Sequence, residues 1–201
     1  FSAVFYDVDT KEYTNFYVRD YDGYDFMYQH MRDFVKGSLI IGYNNSSYDN
    51  IILNSILKNE KIDVKEIYKL SVRIINRQSK NTPLWQDEHL KWLLRPYNKM
   101  YTSMDLMKIL AFDKLFIGLK QCSVNLRHDK VQDLPKPFNE PVESHEVSRI
   151  LEYNKNDVVV TTKLFIKLED DIALRADIKR DYKVDVSSAS KTYIAKAILN
   201  Y

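Results

Sequence analysis

An α/β domain with a mixed sheet flanked by helices is the fold class this sequence predicts, and three patterns predict it. The chain opens on two alternating aromatic and β-branched runs that suit a hairpin. A short continuous apolar run, Ser38 to Tyr43, reads as a strand buried on both faces. Apolar residues at helical spacing follow each of these segments, and strands alternating with helices exclude an all-α or all-β class.

Phe1 to Val8 and Tyr13 to Val18 form the hairpin, with Asp9, Thr10, Lys11 and Glu12 as its turn. After a break at Asp22 and Gly23, Asp25 is placed to cap a helix carrying Met27, Met31, Phe34 and Val35, which Gly37 ends. Beyond the Ser38 to Tyr43 strand, a polar loop, Asn44 to Ser47, leads into a helix from Tyr48. Ile52, Leu53, Ile56 and Leu57 form its inward stripe, so Asp49 lands on the first turn after a strand. Val72 to Ile75 and Tyr101 to Met107 read as strands around an irregular stretch with Pro83 and Pro96, and Asp105 ends the second. Leu119 to Leu126 suits a short helix. Pro135, Pro137 and Pro141 make the segment from Asp133 an extended loop. Ser144 is placed to cap a long helix from His145 to Leu168, with Ile150, Leu151, Val158, Leu164, Phe165 and Leu168 as its apolar face and Glu146 near its positive end. Asp170 to Tyr182 reads as a solvent-facing continuation, and Ser188 as the cap of a last helix through Tyr193, Ala197 and Ile198. The expected organisation is one main domain, residues 1–168, and a helical extension, 169–201.

Composition narrows the class of function. With 45% hydrophobic and 29% charged residues the chain is an ordinary globular one, which excludes disorder, collagen and coiled coil. Cys122 is the lone cysteine, so no internal disulfide forms and a reducing, cytoplasmic setting is expected. No apolar run approaches the roughly 20 residues of a membrane-spanning helix, so no membrane partner is expected. A net charge of +2 does not itself argue for nucleic acid. Its distribution is more telling: Lys58, Lys61, Lys65, Lys69, Arg73, Arg77 and Lys80 outnumber the acids among them, as either a solvated or a phosphate-contacting helix face. The chain starts inside an alternating run and stops inside a helical one, so a larger parent protein is expected.

Two constellations can carry chemistry. Tyr153 and Asp157 stand four residues apart, one turn on a helix, so phenol and carboxylate are neighbours. The acid can bind a divalent cation while the phenol orients a water; the plainer alternative is a polar patch on an amphipathic helix. Asn45, Ser46, Ser47, Tyr48 and Asp49 cluster where a strand exits into a helix, a place where sites form in open sheets. Asp49 is equally explained as an acid favoured at a helix start.

Together these segments resemble the second and third motifs of the ribonuclease H-like exonucleases with four acidic residues and a tyrosine, nearest to the 3′→5′ exonuclease domains of phage family B DNA polymerases. The resemblance rests on Tyr48-Asp49 after an asparagine-led loop, Tyr153-Asn-Lys-Asn-Asp157 on a late helix, and the roughly one hundred residues between them. It implies metal ligands at Asp49 and Asp157, a water-orienting role for Tyr153, and contacts to a single-stranded 3′ end by Asn45 and Tyr48. Gly118 to Cys122 is similar to a further strand-binding motif, with Gly118 where Ser or Thr is usual. Asp105 could add a carboxylate, or be a strand-end acid in solvent.

Phosphodiester hydrolysis needs a nucleophile formed at neutral pH and a stabilised leaving oxyanion, which two divalent ions, magnesium or manganese, supply about 4 Å apart. The family's Asp-x-Glu pair on its first strand has no counterpart here; Asp7 and Asp9 are the nearest variant. Phe1 to Val18 then corresponds to the second and third strands of the sheet, with the first strand and its pair before Phe1. The resulting expectation is a proofreading exonuclease domain, acting on single-stranded DNA beside a polymerase domain of the same parent chain in a bacterial or phage-infected cell. Residues 1–201 alone would be weakly active or inactive. The alternatives are a free-standing exonuclease of the same superfamily and a catalytically dead single-strand-binding module. His30, His89, His128 and His145 lack zinc-ligand spacing.

Overall fold

The structure is a computed structural model that describes residues 1–18, 24–59, 62–95, 99–111, 117–140 and 142–199. The Asp22-Gly23 break, Pro96, Pro141 and the last two residues lie outside them, as do Glu60 and Lys61. The chain forms two compact units, residues 1–40, 45–103 and 138–141 in the first and 41–44, 104–137 and 142–201 in the second. Residues 169–199 fall in the same unit as the long helix before them.

The first unit opens with the expected hairpin, β1 (Ser2–Tyr6) and β2 (Tyr13–Tyr17), paired antiparallel with Ala3 opposite Phe16. Its turn is held by Asp7, whose carboxylate accepts from the amides of Asp9 and Thr10 at 2.8 and 3.0 Å. Of the Asp7/Asp9 pair, Asp7 is thus committed to the turn. Helix α1 (Tyr24–Val35) buries Met31 and Val35, while Phe34 packs its ring on Phe5 and Phe16. Gly37 follows at φ +77°, a conformation that favours glycine. Helix α2 (Asp49–Lys58) buries Ile52, Leu53, Ile56 and Leu57 as the spacing predicts, and Ile51 and Asn54 as well.

Val72 to Ile75 is not a strand: it lies inside α3 (Val64–Ser79). Asp63 and Glu66 form a reciprocal capping box at its start, and Ile67, Leu70 and Ile74 give a helical stripe that overrides the local β-branched run. The stretch read as irregular holds a 3-10 turn, Leu84–Gln86, and α4 (Glu88–Leu93). Asp87 caps α4, accepting from the amides of His89 and Leu90, and binds Arg73 through both carboxylate oxygens at 2.7 and 2.8 Å.

Strands β3 (Leu39–Gly42) and β4 (Thr102–Asp105) make a second two-stranded sheet. Each strand gives its first half to the first unit and its second half to the second. Leu39 is 52% exposed, so β3 is not buried on both faces as its composition suggests. Among the described residues the sheets remain two separate pairs. An apolar run fixes burial of some of its side chains but not how many strands will flank it, and here helices supply much of the cover.

In the second unit the strand read through Met107 ends at Asp105, and α5 (Leu106–Leu110) begins at once. The unit continues with α6 (Leu119–Asn125), α7 (Val147–Lys167), α8 (Glu169–Tyr182) and α9 (Lys191–Leu199). Ser144 does not cap the long helix. It sits in a 3-10 turn, Ser144–Glu146, entered through a capping box between Glu143 and Glu146. Met104, Leu106, Ile109, Cys122, Leu164 and Leu168 form one core, and Val160 on α7 is buried as well. Ile178, Val186 and Ile194 form another, so α8 is not purely solvent-facing. Ser188 accepts from the Asp105 amide instead of capping α9; that place is taken by Ser190, whose hydroxyl accepts from the Tyr193 amide.

Candidate active site

The site begins with how α7 is entered. The Glu146 carboxylate accepts from the Glu143 amide at 2.8 Å and from Lys136 at 2.7 Å, tying the proline-bearing loop to the helix start. From there Arg149, Tyr153 and Asp157 recur every fourth residue along one side of α7. The Tyr153 phenol and the Asp157 carboxylate are neighbours one turn apart and line the same cavity. Burial pushes the Asp157 carboxyl above its usual range, an effect the neighbouring phenol partly opposes. Burial, the nearby Asp157 carboxylate and the charge of Asp133 together push the Tyr153 phenol up to about 12. The phenol therefore stays protonated near neutral pH.

Both side chains line a small cavity of about 50 Å³, together with Lys120, Ser123, Gln132 and Asn156. Tyr153 and Gln132 also border a larger cavity of about 210 Å³ that includes Asp133 and Arg149. The Ser123 hydroxyl and the Gln132 side-chain carbonyl are buried with no hydrogen-bond partner. Unpaired buried polar groups are costly, and a polar cavity of this size admits a water or a small cation. Carboxylate, amide carbonyl and hydroxyl are the hard oxygen donors that magnesium-like ions take, so this donor set fits a divalent cation. Among the described residues, no three His, Cys, Asp or Glu side chains converge as a ligand group.

The loop that carries Gln132 is fixed to α7 by side chains that the sequence pattern did not single out. The Asn156 amide donates to the Lys130 carbonyl at 3.0 Å, and its oxygen lies 2.9 Å from His128 Nε2. His128 Nδ1 lies 3.0 Å from the Lys163 ammonium, so a neutral ring with its proton on Nε2 satisfies both neighbours. Lys130 in turn pairs with Glu152. His128 thus holds a loop, and the only sequence sign of that loop is its prolines.

The other predicted residues lie in the first unit or at the end of β4. Asp49 is exposed at the first position of α2. The Tyr48 phenol lies 2.6 Å from the Ser71 hydroxyl, and burial raises its pKa, opposed by that bond and aided by the charge of Asp49. Asn45 is only 2% exposed and donates to the Ser103 hydroxyl at 3.0 Å, so it fastens the loop rather than standing open to a strand. Asn50 reaches the same hydroxyl at 2.8 Å. Asp105 is 1% exposed, not a strand-end acid in solvent: its carboxylate accepts from the Asn44 and Met107 amides and caps α5. Gly118 precedes α6, and Cys122 is buried, with its thiol 3.3 Å from the Tyr43 phenol.

No protein-family model matches this chain, and comparison with curated proteins and with solved structures finds no match.

Proposed function

We propose that this chain is the 3′→5′ proofreading exonuclease domain of a DNA polymerase, hydrolysing single-stranded 3′ ends with the aid of two divalent ions. The observation that carries the reading is the Tyr153–Asp157 pair: a protonated phenol next to a carboxylate that burial has made costly to ionise, both lining a cavity with unpaired oxygen atoms. A carboxylate in that state is stabilised by a cation.

Asp157 and Asp49 are the residues that would hold the ions, with the Gln132 carbonyl facing the same cavity as Asp157. Bound there, the ions would let a water lose its proton near neutral pH and attack as hydroxide, and would offset the charge of the leaving oxyanion. Tyr153 would orient the attacking water through its hydroxyl, which its high pKa keeps protonated near neutral pH. Asn45 and Ser103 fix the loop from which Tyr48 and Asp49 project. Of the family's four carboxylates two have counterparts in residues 1–201, so hydrolysis by this chain alone is slow.

The test is magnesium-dependent shortening of a 5′-labelled single strand by the parent polymerase that this reading implies. Asp49→Ala and Asp157→Ala each abolish shortening, and Tyr153→Phe slows it less. Unchanged rates in the two alanine variants would remove the assignment.

A further inference from the structure

The chain has two tryptophans, Trp85 and Trp92, and both are turned outward, 62% and 58% exposed. Tyr68 on α3 is 47% exposed. Large aromatic groups usually bury most of their surface, so three left open on connected elements of one unit are informative. They are also held firmly. The 7%-exposed Asp87 carboxylate binds Arg73 of α3 by two hydrogen bonds, follows directly on the turn that bears Trp85, and caps the helix that bears Trp92. One acid therefore joins all three elements.

Cationic groups accompany Tyr68 and Trp92. Lys69 adjoins Tyr68 on the outward side of α3, and Arg73 continues that side one turn on. The Lys58 ammonium lies 4.3 Å from the centre of the Trp92 ring and donates to the Trp92 carbonyl. Rings with exposed faces among cations are the combination that holds unpaired bases by stacking and their phosphates by charge.

We propose that the α3–α4 face of the first unit is a binding surface for single-stranded nucleic acid, with Tyr68, Trp85 and Trp92 stacking on bases and Lys69 and Arg73 meeting phosphates. It does not rest on the exonuclease reading, because none of these residues belongs to the Tyr153–Asp157 site. The surface predicts a preference for unpaired strands over duplex, since paired bases have no free face to offer.

Because Trp85 and Trp92 are the only tryptophans, emission excited at 295 nm reports on this surface directly. Titrating the 201-residue chain, carrying Asp157→Ala to prevent cleavage, with oligo(dT) and oligo(rU) is expected to quench that emission to a plateau. Affinity should fall on the order of tenfold when salt rises from 50 to 200 mM. Trp85→Ala should weaken binding on the order of tenfold, and Trp85→Phe, which keeps a stacking ring, should restore most of it. Circular dichroism verifies that the variants remain folded. Equal quenching by both oligomers, or stronger quenching by one, supports the surface and assigns its sugar preference. No quenching at 50 mM salt, binding unmoved by Trp85→Ala, or a duplex bound as tightly overturns it. Self-association lost in Trp85→Ala, without quenching, would make the face a protein interface instead. If nuclease activity fails its own test while quenching persists, this surface stands alone.

Discussion

The Tyr153 phenol stands one turn before the Asp157 carboxylate on α7, and both line the same cavity. Burial raises both groups; the acid raises the phenol further, while the phenol partly offsets the rise of the acid. A helix spacing of four residues, common by itself, thereby sets a buried carboxylate beside a phenol that stays protonated throughout the physiological range.

Asp157→Asn should raise the melting temperature at pH 7. The folded carboxyl is raised above its unfolded value, so its stabilising contribution is complete below the unfolded pKa, roughly 3.9, and is lost as pH rises through the folded value. The expected gain is on the order of 2 °C at pH 7 and none at pH 3, after allowing for partial exposure to solvent. Magnesium should raise the melting temperature of the unsubstituted chain and not that of Asp157→Asn. Thermal unfolding with and without the ion measures both effects.

Tyr153→Phe should raise the Asp157 carboxyl further, because it removes the phenolic hydroxyl that favours the ionised acid. Carbon-13 NMR of the aspartate carboxyls across pH 3 to 8 reads this directly. An unmoved midpoint for Asp157 would mean the phenol does not serve it.

Asp87→Ala should destabilise the first unit by about 2 kcal/mol, the loss of one helix cap and one charge-assisted pair whose Arg73 partner can still reach water. Burial pushes the Asp87 carboxyl up, but the Arg73 hydrogen bonds, the Leu90 amide and the charges of Arg73 and Arg77 hold it below the usual range. Its stabilisation is therefore present above the unfolded pKa of roughly 4 and disappears as pH falls through the lower folded value. Denaturant unfolding at pH 7 and pH 2.5 should show the cost of Asp87→Ala large at the first and small at the second.

Arg175→Ala should cost the second unit about 3 kcal/mol. The guanidinium is fully buried, donating to the Asp171 carbonyl at 2.6 Å and to the Ala189 carbonyl at 3.1 Å, so truncation leaves a cavity and unpaired carbonyls. Urea unfolding, with tryptophan fluorescence, which reports on the first unit, and circular dichroism as separate probes, measures it.

Sequence pattern was most legible where local signals agree. The hairpin, α2 with its inward Ile and Leu residues, α6 and the long helix through Lys167 follow from period and turn chemistry. It misled where a β-branched run sat inside a capped helix, as at Val72 to Ile75, and where a cap was read from residue type alone, as at Ser144 and Ser188. Nor could it foresee Arg175, which looks like a surface charge until the Ala189 carbonyl is folded against it. For the candidate site, the Tyr153–Asp157 neighbourhood was readable from spacing. Gln132 and Ser123 were not, because a loop residue and a short-helix serine acquire meaning only once a cavity brings their oxygens beside Asp157.

Iron-directed backbone cleavage tests, without requiring catalysis, whether Asp157 holds a divalent cation in the cavity it lines with Gln132 and Ser123. With ascorbate and iron(II) in place of magnesium, the chain should be cut near Asp157 and near Gln132. Excess magnesium should suppress the cuts, and Asp157→Ala should remove them. No cut near Asp157, or cuts that survive Asp157→Ala, would contradict a cation at that carboxylate.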